Sequence, residues 1–358
     1  MEFGLISLAD LTSEPRADHP VAPDERIRQI IRLGQLAEQA GLDVFAVGEH
    51  HHPNYAVTSP AVVLAAVAQA TERIRLTSAT TLIGVLDPVR VYEDFATLDA
   101  LSGGRAEITV GRGAFPEPFD LFGYDMDDYD ALFTEHLDLL LTATRQQFVS
   151  WQGTHRPALL GSWVGPRAVQ QPLPVWVGVG GNRGSVLRAG ALGLPVAVAV
   201  TPGSTARLAE NLAAYRSAAA EHGHDPVATR VATMSQSYVT PRPDGVADYY
   251  PYCAEYLDLH SRGRIVLDRD GFDRHVAGCE PLLAGDPAQV TEKILEQHRR
   301  LGQHRLLLQV DAGGLPFADV ARTVELLGSE VVPAVRAALA AGDTAGDTAS
   351  GQTTGAPR

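Results

Sequence analysis

The sequence alternates apolar runs of strand length with amphipathic segments of helix length, and this alternation constrains the fold more than any other feature. Repeated strand–helix units are typical of a parallel sheet. Eight runs have the composition of buried strands: 3–7, 44–47, 74–80, 106–111, 175–179, 196–200, 230–239 and 305–310. Because eight parallel strands close a barrel, the sequence predicts an α/β fold of the (β/α)8 TIM-barrel type.

A doubly wound open sheet is the alternative arrangement of the same units. That fold normally carries a glycine-rich dinucleotide turn after its first strand, whereas Asp10-Leu11-Thr12-Ser13 follows the first strand here. Helix ends are also marked: Asp87-Pro88 and Asp286-Pro287 are typical N-termini, and Gly103-Gly104 is typical of a C-terminus. These signals favour helices packed around a barrel.

The barrel is expected to form one domain over residues 1–336. Two segments interrupt the alternation of strands and helices. Segment 148–172 is rich in Pro and Gly, which predicts a small hairpin or excursion. Segment 241–280 is a long insertion expected at the C-terminal face of the barrel. We expect the second to be a lid with few apolar anchors. The tail 337–358 repeats Ala-Gly-Asp-Thr and is expected to be disordered.

Composition disfavours several classes of binding partner. The chain has 29 Lys and Arg against 43 Asp and Glu, a formal charge of -14, and no basic stripe, which disfavours nucleic acid. No apolar run reaches the ~20 residues that span a bilayer, and the N-terminus lacks a basic leader, so we expect no membrane partner and a cytoplasmic location. Cys253 and Cys279 are expected to be free thiols, and neither lies in a metal-ligand spacing.

The segment Glu49-His50-His51-His52 directly follows the second predicted strand. On a TIM barrel this position faces the active site. Neighbouring side chains on an extended segment point to opposite sides, so the three histidines cannot all ligate one ion, and we expect no metal site. Proton transfer by His50 and His51 is the preferred interpretation, with His52 in water. Glu49 and Glu93 are candidates for holding a histidine in one tautomer.

Several short motifs occur in an order that resembles the luciferase-like flavin monooxygenases. They are Glu49-His50-His51, Asp87-Pro88-Val89-Arg90, Leu101-Ser102-Gly103-Gly104-Arg105, Gly111-Arg112-Gly113, Pro174-Val175-Trp176-Val177, Gly178-Val179-Gly180-Gly181-Asn182 and Gly313-Gly314. The resemblance covers residues 1–336. It implies a (β/α)8 barrel that uses reduced FMN with O2 or, in one branch of the family, the deazaflavin F420.

The resemblance also implies a cofactor site. Arg112, Gly181, Asn182 and Ser185 match phosphate-binding positions, and a cis peptide bond beneath the flavin ring would fall at Ala79–Thr80. Physical chemistry agrees: an Arg beyond the fourth strand supplies a charged donor, and the turn that starts at Gly180 opens a helix whose N–H groups attract anions. Bacterial luciferase carries a reactive cysteine where Gly111 stands here, which favours ordinary oxygenation over light emission.

The leading hypothesis is a two-component monooxygenase. A separate NAD(P)H-dependent flavin reductase would supply reduced FMN, and a flavin C4a-hydroperoxide would oxygenate a small apolar or aromatic molecule while His50 moves protons. A homodimer is expected. The alternatives are an F420-dependent dehydrogenase or reductase on the same fold and a non-catalytic flavin-binding barrel.

Overall fold

A computed structural model describes residues 1–13, 15, 21–113, 115–180, 182–200, 205–225, 229–278 and 282–350. Eight parallel strands close a barrel in chain order, with the first strand paired to the last. The strands are β1 (Glu2–Ser7), β2 (Val44–Val47), β3 (Arg75–Ser78), β4 (Ala106–Gly111), β5 (Val175–Val179), β6 (Val196–Ala199), β7 (Val231–Val239) and β8 (Arg305–Gln309). The predicted TIM barrel and its eight strands are confirmed.

Helices surround this barrel. In the described part of the chain they are α1 (Pro23–Gln39), α2 (Pro60–Ala70), α3 (Pro88–Ser102), α4 (Glu117–Phe122), α5 (Tyr129–Arg145), α6 (Arg183–Ala191), α7 (Thr205–Glu221), α8 (Tyr250–Ser261), α9 (Arg269–Ala277), α10 (Pro287–Leu301), α11 (Phe317–Leu326) and α12 (Val332–Ser350). None of these helices is both long and apolar enough to cross a membrane.

The predicted helix ends at Asp87, Gly103 and Asp286 are confirmed. The Asp87 carboxylate accepts hydrogen bonds from the first amides of α3, and Gly103 ends that helix in the left-handed conformation at φ +67°. Asp286 caps α10 in a reciprocal pair with Gln289. Short polar side chains satisfy helix N–H groups that have no partner within the helix, so the sequence specifies these boundaries locally.

The strands differ from the sequence prediction chiefly in one shortened strand and two short strands that were not predicted. The third strand ends at Ser78 instead of continuing to Thr80, and a separate two-residue strand, Thr81–Leu82, pairs with β4. The strand Leu282–Gly285 was not predicted; it extends the sheet by pairing with the C-terminal half of β7. Its four residues are too few to show a period, although the apolar run Leu282-Leu283-Ala284 was a usable signal.

A buried ion network fills the N-terminal end of the barrel. The Arg305 guanidinium on β8 donates to both carboxylate oxygens of Glu107 on β4, at 2.6 and 3.1 Å, and to Glu2 at 2.7 Å. It also lies 4.5 Å from the centroid of the Trp176 ring. Because charge and ring together close this end, the opposite end, at the C-termini of the strands, is the one left open for ligands.

The two interrupting segments have regular structure. Strands Phe148–Trp151 and Leu159–Trp163 form an antiparallel hairpin within 148–172. The insertion after β7 contains a 3-10 helix, Pro243–Tyr249, followed by α8 and α9, which we call the cap helices. The expectation of few apolar anchors is wrong, because aromatic and thiol side chains of this insertion are buried: Tyr249, Cys253, Tyr256 and Phe272.

The expected disordered tail, 337–358, begins within helix α12. Helix α12 continues to Ser350, so 337–350 is helical in the structure, consistent with the high helix propensity of its many alanines. Residues 351–358 lie outside the described residues, as do 279–281, which include Cys279 and the last residue of the predicted lid.

Candidate active site at the barrel mouth

His50 lies just beyond β2 and packs into the barrel mouth. Its ring stacks on Tyr55, with centroids 4.1 Å apart and planes 14° apart. Its Nδ1 atom is buried and has no hydrogen-bond partner among the described residues. Burial, with repulsion from His260 and the neighbouring histidines, lowers the pKa of His50 to about 3. His50 is therefore a neutral imidazole at ordinary pH, with one nitrogen available to a ligand.

His51 points to a different side from His50. Its Nε2 lies 2.9 Å from Oε1 of Glu49, whose other oxygen accepts the backbone N–H of Leu82 at 3.2 Å. Burial raises the pKa of Glu49. The suggestion that Glu49 orients a histidine is confirmed for His51, whereas Glu93 contacts Arg90 on the outside of α3.

His52 is half-buried instead of lying free in water. Its ring packs against Phe115 with centroids 5.9 Å apart, and its Nδ1 accepts the backbone N–H of Asn54 at 3.3 Å. The three consecutive histidines thus have separate environments, and only His50 combines burial with an unpartnered ring nitrogen.

The cap helices contribute a second imidazole. The hydroxyl of Tyr55 lies 3.2 Å from Nδ1 of His260 on α8, and the His260 ring stacks on Tyr256. Burial lowers the pKa of His260 and raises that of Tyr55. Sequence reasoning missed this pair, since His260 belongs to no motif and lies 205 residues from Tyr55.

The Ala79–Thr80 peptide bond is cis, as the resemblance implied. A Cβ at Gly111 or at Gly178 would overlap the Thr80 side chain, so a larger residue at either position, including cysteine at 111, requires Thr80 to move. A Cβ on Gly48 would lie 3.1 Å from the His50 ring and 3.3 Å from the Ala79 carbonyl oxygen. His50 and the Ala79–Thr80 peptide are therefore neighbours at the mouth.

Two arginines meet on another side of the mouth, in what we call the arginine corner: Arg112, Ser185, Arg188 and Asp130. Arg112 donates to the Ser185 hydroxyl at 2.8 Å and to the Asp130 carboxylate at 2.6 Å. Arg188 approaches the same carboxylate at 3.5 Å, and its Nη1 is buried without a partner among the described residues. The sequence predicted Arg112 and Ser185 here but neither Arg188 nor Asp130.

The glycine-rich turn contributes less than expected. The Asn182 side chain caps α6 by accepting the amides of Gly184 and Ser185, so these two N–H groups are already satisfied. Gly180 faces open space, with no heavy atom within 4 Å of the position its Cβ would take. Gly181 lies outside the described residues.

The arginine corner fits a phosphate group. Its two guanidinium groups and one hydroxyl are donors suited to phosphate oxygens. The opposing carboxylate of Asp130 is 67% exposed and can turn into solvent when an anion arrives. The orphaned Nη1 of Arg188 is a buried charged donor that such a ligand would satisfy.

A cavity of about 160 Å³ lies beneath the cap helices. The ends of β1, β6, β7 and β8 form its floor and walls, and Tyr256, Leu257 and His260 of α8 close it from above. Ile6, Leu8 and Met234 from its wall pack in the same apolar cluster as Ala79. The cavity wall therefore shares one apolar cluster with Ala79.

These features define a TIM-barrel enzyme with an arginine corner that fits a phosphate group, a neutral histidine and a cavity beneath the cap helices at one mouth. The chain belongs to the luciferase-like monooxygenase family, whose model matches residues 1–305. It is similar to monooxygenase RslO1 from Streptomyces bottropensis, with 26% identity, a TM-score of 0.82, and coverage of 93% of this chain and 99% of that one.

Two further solved structures share the fold. One is the oxygenating constituent of 3,6-diketocamphane monooxygenase from Pseudomonas putida in complex with FMN, with 18% identity, a TM-score of 0.75 and coverage of 93% and 98%. The other is an F420-dependent secondary alcohol dehydrogenase with an F420-acetone adduct, with 19% identity, a TM-score of 0.73 and coverage of 93% and 98%.

Proposed function

We propose that this enzyme is a two-component monooxygenase that uses reduced FMN and O2 to oxygenate a small apolar or aromatic molecule. The observation that carries the proposal is the pairing, on one mouth, of the phosphate-compatible arginine corner with His50 beside the Ala79–Thr80 peptide. Because β1 is not followed by a glycine-rich dinucleotide turn, the reducing equivalents would come from a separate NAD(P)H-dependent flavin reductase.

Each part of the site has a stated role in this proposal. Arg112, Ser185 and Arg188 hold the phosphate, with Gly180 leaving room for the chain that leads to the ring. The Ala79–Thr80 peptide faces the ring, which supplies the chemistry that activates oxygen when it is bound. Gly181 and Asn182 are proposed to contact the phosphate because of the family resemblance. Asn182 would do so through its side-chain nitrogen, because its side-chain oxygen caps α6.

His50 moves the proton. A neutral imidazole with an unpartnered Nδ1 accepts a proton or a hydrogen bond from a reacting group without first losing its own proton. His51, fixed by Glu49, positions the loop that carries His50. Residues 241–280, which include the cap helices, act as a lid that excludes water from the site. Limited proteolysis with and without reduced FMN tests this role. Equal cleavage of the segment in both states would contradict a lid.

A homodimer is also proposed. Val62 on α2 and Leu101 at the end of α3 are exposed apolar side chains on one groove between two packed helices. Light scattering tests the assembly: a dimer gives twice the chain mass of 38.2 kDa, and a wild-type mass of one chain contradicts it.

Anaerobic titration separates the proposed cofactors. We expect saturable binding of reduced FMN that Arg112→Ala weakens and that Arg183→Ala, at an exposed site on the same turn, leaves unchanged. Preferential binding of reduced F420 would support the dehydrogenase alternative. Binding of flavin without any effect on its reaction with O2 or substrate would support the non-catalytic barrel.

A further inference from the structure

We propose that the cavity beneath the cap helices binds a compact, neutral carbonyl compound, whose oxygen accepts hydrogen bonds from the side-chain amides of Gln236 and Gln309. The inference rests on the proposed function, because it takes this cavity as the place of the organic substrate. It assigns substrate recognition to two residues on the barrel strands.

The two glutamines are side by side. Gln236 on β7 and Gln309 on β8 are register partners in the parallel sheet, and both line the cavity. Neighbouring strands lie about 4.8 Å apart, and paired residues of parallel strands project to the same face. Two amides at this separation can donate to one acceptor oxygen placed between them.

Both amides lack a partner for their donor groups. The Nε2 atoms of Gln236 and Gln309 are buried, and neither has a partner at hydrogen-bond distance among the described residues. The Gln309 side chain also interacts with the buried Tyr256 hydroxyl, but this contact does not meet hydrogen-bond geometry. The Oε1 atom of Gln236 accepts from the Cys253 thiol at 3.9 Å, which leaves the amide nitrogen of that residue to face another group. Buried donors in native proteins are nearly always satisfied, so two adjacent unsatisfied donors indicate an acceptor that the chain itself does not supply.

The rest of the cavity sets the size and charge of the ligand. Most of the lining is apolar, including Leu8, Val200 and Leu257, and none of the described residues that line it is Lys, Arg, Asp or Glu. A buried ammonium group would therefore find no carboxylate among these residues, and a buried carboxylate would have only the imidazoles of His260 and His275 in the lining, so either charge is costly to bury. An apolar cavity of roughly 150 Å³ holds benzene, so a ligand of roughly six to ten non-hydrogen atoms fits here.

The position of the cavity agrees with the proposed reaction. Met234, two residues before Gln236, packs in the cluster that contains Ala79, and His260 closes the cavity beside Tyr55. A carbonyl oxygen held by the glutamines would leave the remainder of the ligand among the apolar side chains of the cavity wall, including Met234. The donors would also polarise the carbonyl carbon, which makes it more open to attack.

A pair of shape-matched probes tests the proposal without flavin. Cyclohexanone and methylenecyclohexane have nearly the same shape, but only the ketone has an acceptor oxygen. We expect calorimetric titration of the flavin-free protein to give roughly tenfold tighter binding of cyclohexanone, the scale of two neutral hydrogen bonds. Gln236→Met and Gln309→Met should each reduce this preference about threefold, whereas the exposed Gln39→Met should retain it.

A second readout does not depend on the variants. The infrared C=O stretch of bound cyclohexanone should move to lower frequency in the wild-type protein and return toward its value in hydrocarbon when either glutamine is replaced. Equal affinity for the two probes, no binding of either, or an unshifted C=O band in the wild-type protein would each overturn the proposal.

The outcome separates this inference from the proposed function. If reduced FMN binds while the ketone preference is absent, only the glutamine assignment fails. If the ketone preference holds while reduced FMN does not bind, the cofactor proposal fails and the cavity assignment stands. If the glutamine variants weaken reduced FMN binding and leave cyclohexanone binding unchanged, the amides bind the cofactor and the inference is wrong.

Discussion

Replacing Arg112 and replacing Asp130 in the arginine corner should change the affinity for reduced FMN in opposite directions. Arg112 donates to Ser185 and Asp130 in the free protein and is proposed to donate to the FMN phosphate in the complex. A hydrogen bond to a charged group contributes roughly 1.5–3 kcal/mol, so Arg112→Ala should weaken reduced FMN binding roughly 10- to 150-fold. Asp130 is 67% exposed, and such a pair contributes only about 0.2–1 kcal/mol. Asp130→Asn should therefore tighten binding, by up to about fivefold.

Anaerobic fluorescence titration measures both effects, with reduced riboflavin as the control ligand because it lacks the phosphate. Neither substitution should change riboflavin affinity. The reasoning is refuted if Arg112→Ala leaves reduced FMN affinity unchanged, if it weakens riboflavin equally, or if Asp130→Asn weakens FMN binding. The last result would mean that Asp130 positions Arg112 for the phosphate instead of competing with it.

Three other predictions concern the barrel floor and the histidine loop. Arg305→Met should lower the free energy of unfolding by up to about 3–5 kcal/mol, because buried Glu107 then keeps only the partly exposed Arg75 as a charged partner. Arg230→Met, which removes a half-exposed arginine over the same Trp ring, should cost at most about 1 kcal/mol, and similar losses in urea unfolding would contradict this. His50→Gln should lower turnover by ~10²–10⁴-fold with little effect on flavin affinity, and His52→Gln should change turnover much less. If steady-state kinetics showed a larger effect for His52→Gln, the proton-transfer role would belong to His52. The pKa of His50 is about 3 in the folded protein and 6.5 in its ordinary, unfolded environment. Between these values the unfolded state binds more protons than the folded state. His50 therefore lowers the free energy of unfolding as pH falls below 6.5, by up to about 1.4 kcal/mol per pH unit. Urea unfolding at pH 5 and 7 should show a smaller decrease for His50→Gln than for the wild type, and identical decreases would exclude this titration.

The fold was largely predictable because it depends on local patterns. Strands such as β2 (Val44–Val47) and β6 (Val196–Ala199) are buried along their length and appear as continuous apolar runs, and the caps at Asp87 and Asp286 act within their own helices. The boundaries that were missed depend on tertiary context. The strand Leu282–Gly285 forms only because β7 extends beyond the ring and offers a free edge.

The site was predictable where a residue follows a strand and not where distant segments meet. His50, Arg112 and Ser185 could be placed because each comes just after a barrel strand. Asp130 and His260 could not, because helices and insertions bring them to the mouth over long sequence separations. The pairing of Gln236 with Gln309 needs the register of β7 and β8, which a single sequence does not contain.

The origin of the oxygen atom in the product tests the central claim most directly. The enzyme would be incubated with an NADH-driven flavin reductase, FMN, ¹⁸O2 and a panel of small ketones, aldehydes and thioethers, and the products analysed by mass spectrometry. The account predicts a product that carries one ¹⁸O atom and forms only when the enzyme, reduced FMN and O2 are all present, with a large loss of that product in His50→Gln. A product that forms without O2 when reduced F420 is supplied, or one whose new oxygen comes from water, would contradict it.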